Sequence, residues 1–155
     1  MSEVYEEKDK YLVYRIGDEL YASRLLDFVE VIEYTKPKIV PNMSHCFSGM
    51  INLRGLIIGV VDLRKKLDIT EEFSGKPSML ICDTEVGPIG AIIDKVEYVV
   101  PFLQSEIQDL KLERKMDKTY LKGFFQYQEN LITVIEIKSF VSNFDENTHS
   151  QENVA

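Results

Sequence analysis

The sequence has no tryptophan, two cysteines, two histidines, three alanines and no apolar run much longer than six residues. Each shortage excludes something. Two isolated cysteines, Cys46 and Cys82, make no disulfide framework and fit a reducing, cytoplasmic compartment. Cysteine and histidine at positions 45, 46, 82 and 149 match no zinc spacing, so no metal is expected. Runs of about six residues fall far short of the roughly 20 that a membrane span needs, and the acidic start MSEVYEEKDK does not read as a signal peptide. Direct membrane insertion is therefore not expected. Positive charge is in deficit: 18 Lys+Arg against 26 Asp+Glu leave −8, which repels phosphate backbones and argues against nucleic acid as a partner. The scarcity of alanine, set against 29 Val and Ile, favours strands over a helical bundle.

What is present reads as mainly β. The 155 residues, 45% of them hydrophobic, suffice for one domain or for two small barrels sharing a core. Tyr11–Ile16 and Glu19–Ala22 flank Gly17-Asp18, a hairpin signal because glycine accepts the positive φ of a tight turn. Ser23 is placed to cap a short helix, with Leu25, Phe28, Val29 and Ile32 at i, i+3, i+4 and i+7 on one face. Residues 49–67 predict a strand, an Arg54-Gly55 turn, a second strand and a short helix capped by Asp62. After a loop over 68–77, Met79–Asp83 and Ile89–Val100 are strand candidates around a Thr84–Pro88 turn. Residues 102–118 read as a partly helical connection. Phe124–Tyr127 and Leu131–Ile137 predict a last hairpin, followed by a short helix from about Lys138.

The chain also repeats itself. Shifted by 74 positions, residues 49–67 overlie 123–141, so that Gly49 meets Gly123, Val60 meets Val134 and Arg64 meets Lys138. Shifted by 67, residues 26–32 overlie 93–99, keeping Asp, Val and Glu in place. Either a shared β pattern or two similar small β units accounts for this, and two units would leave a groove between them and two sets of strand edges.

The reactive inventory is thin. His45-Cys46 is the one adjacent base and nucleophile, but neighbours in extended backbone point to opposite faces. Cys82, among Met79, Leu80 and Ile81, reads as a small buried apolar residue. No GxxxxGK[ST] or GxGxxG phosphate cradle occurs, and no cofactor is expected. Asp27, Asp62 and Asp94 lie beside apolar runs, where caps and turns use them. Arg54, at a hairpin tip, is either an ordinary solvated arginine or a guanidinium held clear of the fold to fork onto a carboxylate. Glu30, between Val29 and Val31, is a rim charge within the same argument, and a Glu30–Arg54 pair is a candidate.

Taken in order, YRIGDELYA (14–22), FVEVI (28–32), IVPN (39–42), GMINLRG (49–55), VVDLRKKL (60–67), IGAIIDKVEYVV (89–100), YLKGFF (120–125) and LITVIEI (131–137) resemble the CheW family of bacterial chemotaxis adaptors. The resemblance covers residues 8–144, leaving 1–7 as a lead and 145–155 as a tail. It implies two SH3-like five-stranded β-barrel subdomains packed side by side, with short helices and no catalysis. It implies an adaptor that couples transmembrane chemoreceptors, by their cytoplasmic helical tip, to the regulatory domain of the chemotaxis histidine kinase CheA at membrane receptor arrays. By the same resemblance Glu30, Arg54, Asn52 and Gly55 fall at receptor-coupling positions, and Val29, Val31, Ile57 and Ile58 are expected in the kinase-binding region. Gly59 stands where the family commonly has proline, and Met43-Ser44-His45-Cys46 replaces a second proline; an adaptor of a non-flagellar chemosensory pathway could share the same core. A partner receiver domain, a Cys46-dependent hydrolase and an oligonucleotide-binding barrel are the rival readings. The chain contains no receiver, and its charge disfavours the last.

Overall fold

The computed structural model describes residues 4–70, 72–73, 75–109 and 120–142. Among these described residues, ten strands and two short helices follow one another as β1 (Lys10–Ile16), β2 (Glu19–Arg24), β3 (Phe28–Glu33), β4 (Phe47–Leu53), β5 (Leu56–Asp62), α1 (Leu63–Lys66), β6 (Ser78–Thr84), β7 (Gly87–Ile93), β8 (Lys95–Pro101), β9 (Leu121–Tyr127), β10 (Asn130–Ile135) and α2 (Ile137–Ser142). They form two five-stranded sheets, ordered β8-β1-β2-β10-β9 and β3-β6-β7-β5-β4. In each sheet one contact is parallel, β2 with β10 and β5 with β7, and the others are antiparallel.

The internal repeat is real and its halves are crossed. Exchanging β1–β5 with β6–β10, each for the other, in the first sheet order reproduces the second. Each sheet therefore takes two strands from one half of the chain and three from the other. The shift of 74 holds in detail: Ile51 opposite Ile58 becomes Phe125 opposite Ile132, and both hairpins carry a register break at the same place. Gly49 and Gly123 show why that position is glycine. Both have strongly positive φ (135° and 145°), and a Cβ on either would lie 2.2 Å from a backbone oxygen, that of Lys38 or Gln108. There the chain comes close enough for paired bridges, Lys38 with Met50 and Gln108 with Phe124.

Three apolar cores result. The first sheet encloses Val13, Ala22, Phe125 and Ile132, and the second encloses Ile58, Val60, Met79 and Ile81. A third core, including Tyr14, Ile16, Leu63, Leu80, Ile93 and Phe140, lies where the sheets meet. Strands with one face in a barrel and one in this shared core are buried on both sides, which is why β6 and β7 read as continuous apolar runs.

The predicted hairpins at 17–18, 54–55 and 128–130 form, as does the Asp62 cap, whose Oδ1 accepts from the Arg64 N–H at 2.9 Å. The helix expected after Ser23 does not. Only Leu25–Asp27 turns, as a single 3₁₀ turn, and Phe28–Glu33 is strand. Val29, Val31 and Ile32 are β-branched; Val31 and Ile32 pair with β6 while Val29 falls at the register shift between Phe28 and Glu30, and that ladder overrides a spacing that also fits a helical face. Ser23 is buried instead, donating to the Ile135 carbonyl at 2.7 Å and sharing a hydrogen bond with the Tyr14 hydroxyl. The expected strand 89–100 is two strands in different sheets, broken at Asp94. Of the connection 102–118, Gln104–Glu106 is a 3₁₀ turn and residues from 110 lie outside the described residues, as does the tail from 145.

Candidate functional site

The hairpin of β4 and β5 turns on two residues with positive φ, Arg54 at 51° and Gly55 at 89°, a geometry that matches the twist of the flanking strands. Asn52 locks it, its Oδ1 accepting from the Gly55 N–H at 2.8 Å. The turn carries the Arg54 guanidinium across to β3, where it forms an ion pair with Glu30. β3 and β4 are the two edges of their sheet, so this pair spans the side that the strand ladder leaves open. Glu30 sits opposite Ile81 on the face turned towards the enclosed core, and its side chain keeps 26% exposure against 70% for Arg54.

The segments joined by this pair also carry apolar side chains in solvent. Val29 (61%) and Val31 point outwards from β3, and Leu56 and Ile57 (57%) stand out at the start of β5. Ile58 does not belong with them. Its exposure is 2% and it packs with Ile51 and Met79 inside the barrel, because the period-two alternation that turns Ile57 out turns Ile58 in. The sequence-based assignment of Ile58 to a partner-binding surface is corrected accordingly. Leu56 was missed, and its place beside the two turn residues was the available signal.

The other sheet lacks this arrangement. Glu97, at the position equivalent to Glu30, binds Arg15 at 3.0 Å, and Gln128 replaces Arg54. Its edge strands are bridged by the Tyr98 and Tyr127 rings, with centroids 5.5 Å apart. The charged clasp with flanking valine and isoleucine is confined to one barrel.

Elsewhere the described residues offer little chemistry. His45 is exposed while Cys46 is buried, so the two neighbours sit in different surroundings. Burial pushes the Cys82 thiol far above its usual range, and Cys82 lies in the shared core. No cluster of three or more His, Cys, Asp or Glu able to hold a metal occurs among the described residues. A cleft of about 710 Å³ runs between the N-terminal turn and β9, but Lys8, Arg24 and Lys122 on its wall each already hold a carboxylate, Glu6, Asp27 and Glu136 respectively. The Lys122 ammonium holds the Glu136 carboxyl below its usual range. No helix among the described residues is long and apolar enough to cross a membrane.

The CheW-like domain family model matches residues 10–144. The chain is 30% identical over 101 residues to the chemotaxis protein CheW of Bacillus subtilis, covering 64% of this chain and 65% of that protein. It is 28% identical to the Thermotoga maritima chemotaxis protein CheW, covering 84% and 85%. The crystal structure of the scaffolding protein TtCheW from Thermoanaerobacter tengcongensis superposes with a TM-score of 0.75 at 27% identity, covering 83% of this chain and 89% of that one.

Proposed function

The chain belongs to the CheW-like domain family, and on that premise we propose how it works: as a non-catalytic chemotaxis adaptor that couples chemoreceptors to the histidine kinase CheA. The working body is residues 8–144. It acts from the cytoplasm, recruited to receptor arrays at the membrane, and signals by holding two partners at once, which a rigid double barrel with three packed cores suits well.

The observation that carries the assignment of sites is the Glu30–Arg54 clasp between a sheet edge and a hairpin tip. Receptor coupling falls to Glu30, Arg54, Asn52 and Gly55, which meet the cytoplasmic helical tip of the receptor. Asn52 and Gly55 act by fixing the turn that aims Arg54. Val29, Val31 and Ile57, joined by Leu56, form the apolar contact for the regulatory domain of the kinase. Exposed aliphatic side chains beside a polar clasp provide an apolar centre with a polar rim, the usual anatomy of a docking surface.

The test is reconstitution. Purified chain is added to receptor-containing vesicles and CheA, and both co-sedimentation and receptor-dependent kinase activity are read. Arg54→Ala should sever the link to receptor while kinase binding persists, and Ile57→Asp should do the reverse. Unchanged coupling by both variants would remove these assignments.

A further inference from the structure

The clasp and its four aliphatic neighbours make too small a contact for a stable adaptor. A specific interface buries roughly 800 Å² on each partner, drawn from about 20–30 residues. The register of β4 with β5 shows where the surface continues. Residues directly opposite one another share a face, so Ile51 with Ile58 faces the barrel interior, while Asn52 with Ile57 and Met50 with Gly59 face outwards. Along β5 the outward positions run from Val61, in the shared core, through Gly59 to Ile57 in solvent.

Gly59 is where an aromatic ring covers that face. Its backbone does not call for glycine, since its φ lies outside the left-handed region. A Cβ there, however, would lie 3.0 and 3.5 Å from Cε2 and Cζ of Phe47 and 4.0 Å from the Met50 sulfur. The glycine therefore makes room for the Phe47 ring, which rests on β5 beside Met50. Phe47 and Met50 are half-buried, and neither belongs to the three cores. Under the shift of 74, Phe47 becomes Leu121, which packs on the shared core, and Gly59 becomes Thr133. The seat of ring on glycine, like the clasp, is confined to one barrel.

We propose that Phe47, seated on Gly59, is a further anchor of the contact with the regulatory domain of CheA, and that this contact extends from Leu56 and Ile57 across Met50 to the Phe47 ring. The proposal rests on the reading of Ile57 as kinase-binding, with which the ring and thioether share one outward face. A half-exposed aromatic ring continuous with an aliphatic patch is the kind of side chain that carries binding energy at interface centres. Gly59 touches no partner. It is a positioning residue that acts through the ring.

Calorimetric titration of full-length CheA with the wild-type chain, Phe47→Ala, Gly59→Ala and the double variant tests this, with Ile57→Asp as reference and melting temperature as the check of folding. Phe47→Ala should weaken binding about tenfold, and Gly59→Ala, which pushes the ring away, should weaken it to a lesser degree. The double variant should bind no worse than Phe47→Ala alone, because the glycine has no effect once the ring is gone. Merely structural roles would lower the melting temperatures without this pattern in affinity. If Ile57→Asp loses binding while folded Phe47→Ala binds like the wild type, the proposal is overturned and the reading of Ile57 stands. If Ile57→Asp also binds like the wild type, both fall. Losses that add in the double variant would remove the role given to Gly59. Should Phe47→Ala not fold, Phe47→Leu, which keeps an aliphatic side chain over the glycine, takes its place: weakened binding supports the anchor, and unchanged binding refutes it.

Discussion

Arg64 and Asp94 form a buried ion pair that ties the helix ending one half of the chain to the crossing point of the other. Both side chains are nearly out of solvent, at 5% and 11% exposure, and the guanidinium also lies 4.3 Å from the centre of the Phe73 ring. The equivalent pair, Lys138 with Asp27, is looser: Lys138 is substantially exposed, and Asp27 also has Arg24 at 3.4 Å.

The two pairs should differ sharply under mutation. Arg64→Met strands a buried carboxylate and is expected to cost about 3–5 kcal/mol. Lys138→Met leaves Asp27 with Arg24 and should cost no more than about 1 kcal/mol, as for an exposed pair. Urea denaturation of both variants checks this. Arg64→Met combined with Asp94→Leu should regain much of the loss, because no charge is then left unpaired.

The repeat that pairs these residues was legible in sequence; the crossing of its halves was not. Shifts of 74 and 67 overlay Arg64 on Lys138 and Asp27 on Asp94, yet no local pattern says that Lys10 of β1 pairs with Pro101 of β8, far along the chain. Turns were read well because Gly17, Arg54-Gly55 and Asp62 act within a few residues of themselves. β3 was misread because Leu25, Phe28, Val29 and Ile32 fit a helical face as neatly as a strand, and only the ladder to β6 decides between them. At the candidate site the Glu30–Arg54 pair was anticipated from its two charges. The inward turn of Ile58 was not, since it depends on counting the alternation from the turn.

Gly49 and Gly123 should be less replaceable than glycines in open turns. Alanine at Gly87 meets only backbone strain, since nothing lies within 4 Å of its Cβ position, and should cost about 1–3 kcal/mol. At Gly49 or Gly123 the same strain is joined by a backbone oxygen 2.2 Å away, so each change to alanine should cost clearly more. Thermal melts of the three single variants give the ranking.

Acid should weaken the contact between β9 and the start of α2. Glu136 accepts from Lys122 and from Ser139, and Lys122 sits 3.0 Å from it, so the folded-state pKa is depressed. A depressed carboxyl contributes stability that is complete above its unfolded value, roughly 4.3, and is lost as pH falls through the folded value. Glu136→Gln should therefore lower stability at neutral pH and flatten its fall in the acid range. Denaturation midpoints measured between about pH 3 and 7 show whether the two curves converge at the acid end.

Ile57 and Ile58 separate surface from core within one step of the chain. Ile58→Ala opens a cavity among Ile51, Val60 and Met79 and is expected to cost about 2–5 kcal/mol, with binding lost only as far as folding is lost. Ile57→Ala removes an exposed side chain, so stability should change by no more than about 0.5 kcal/mol while affinity for the kinase domain falls. Calorimetric titration of folded protein distinguishes the two. If Ile57→Ala binds as well as the parent chain, the apolar contact lies elsewhere, and the remaining exposed aliphatics, Val29, Val31 and Leu56, are then tested in the same way.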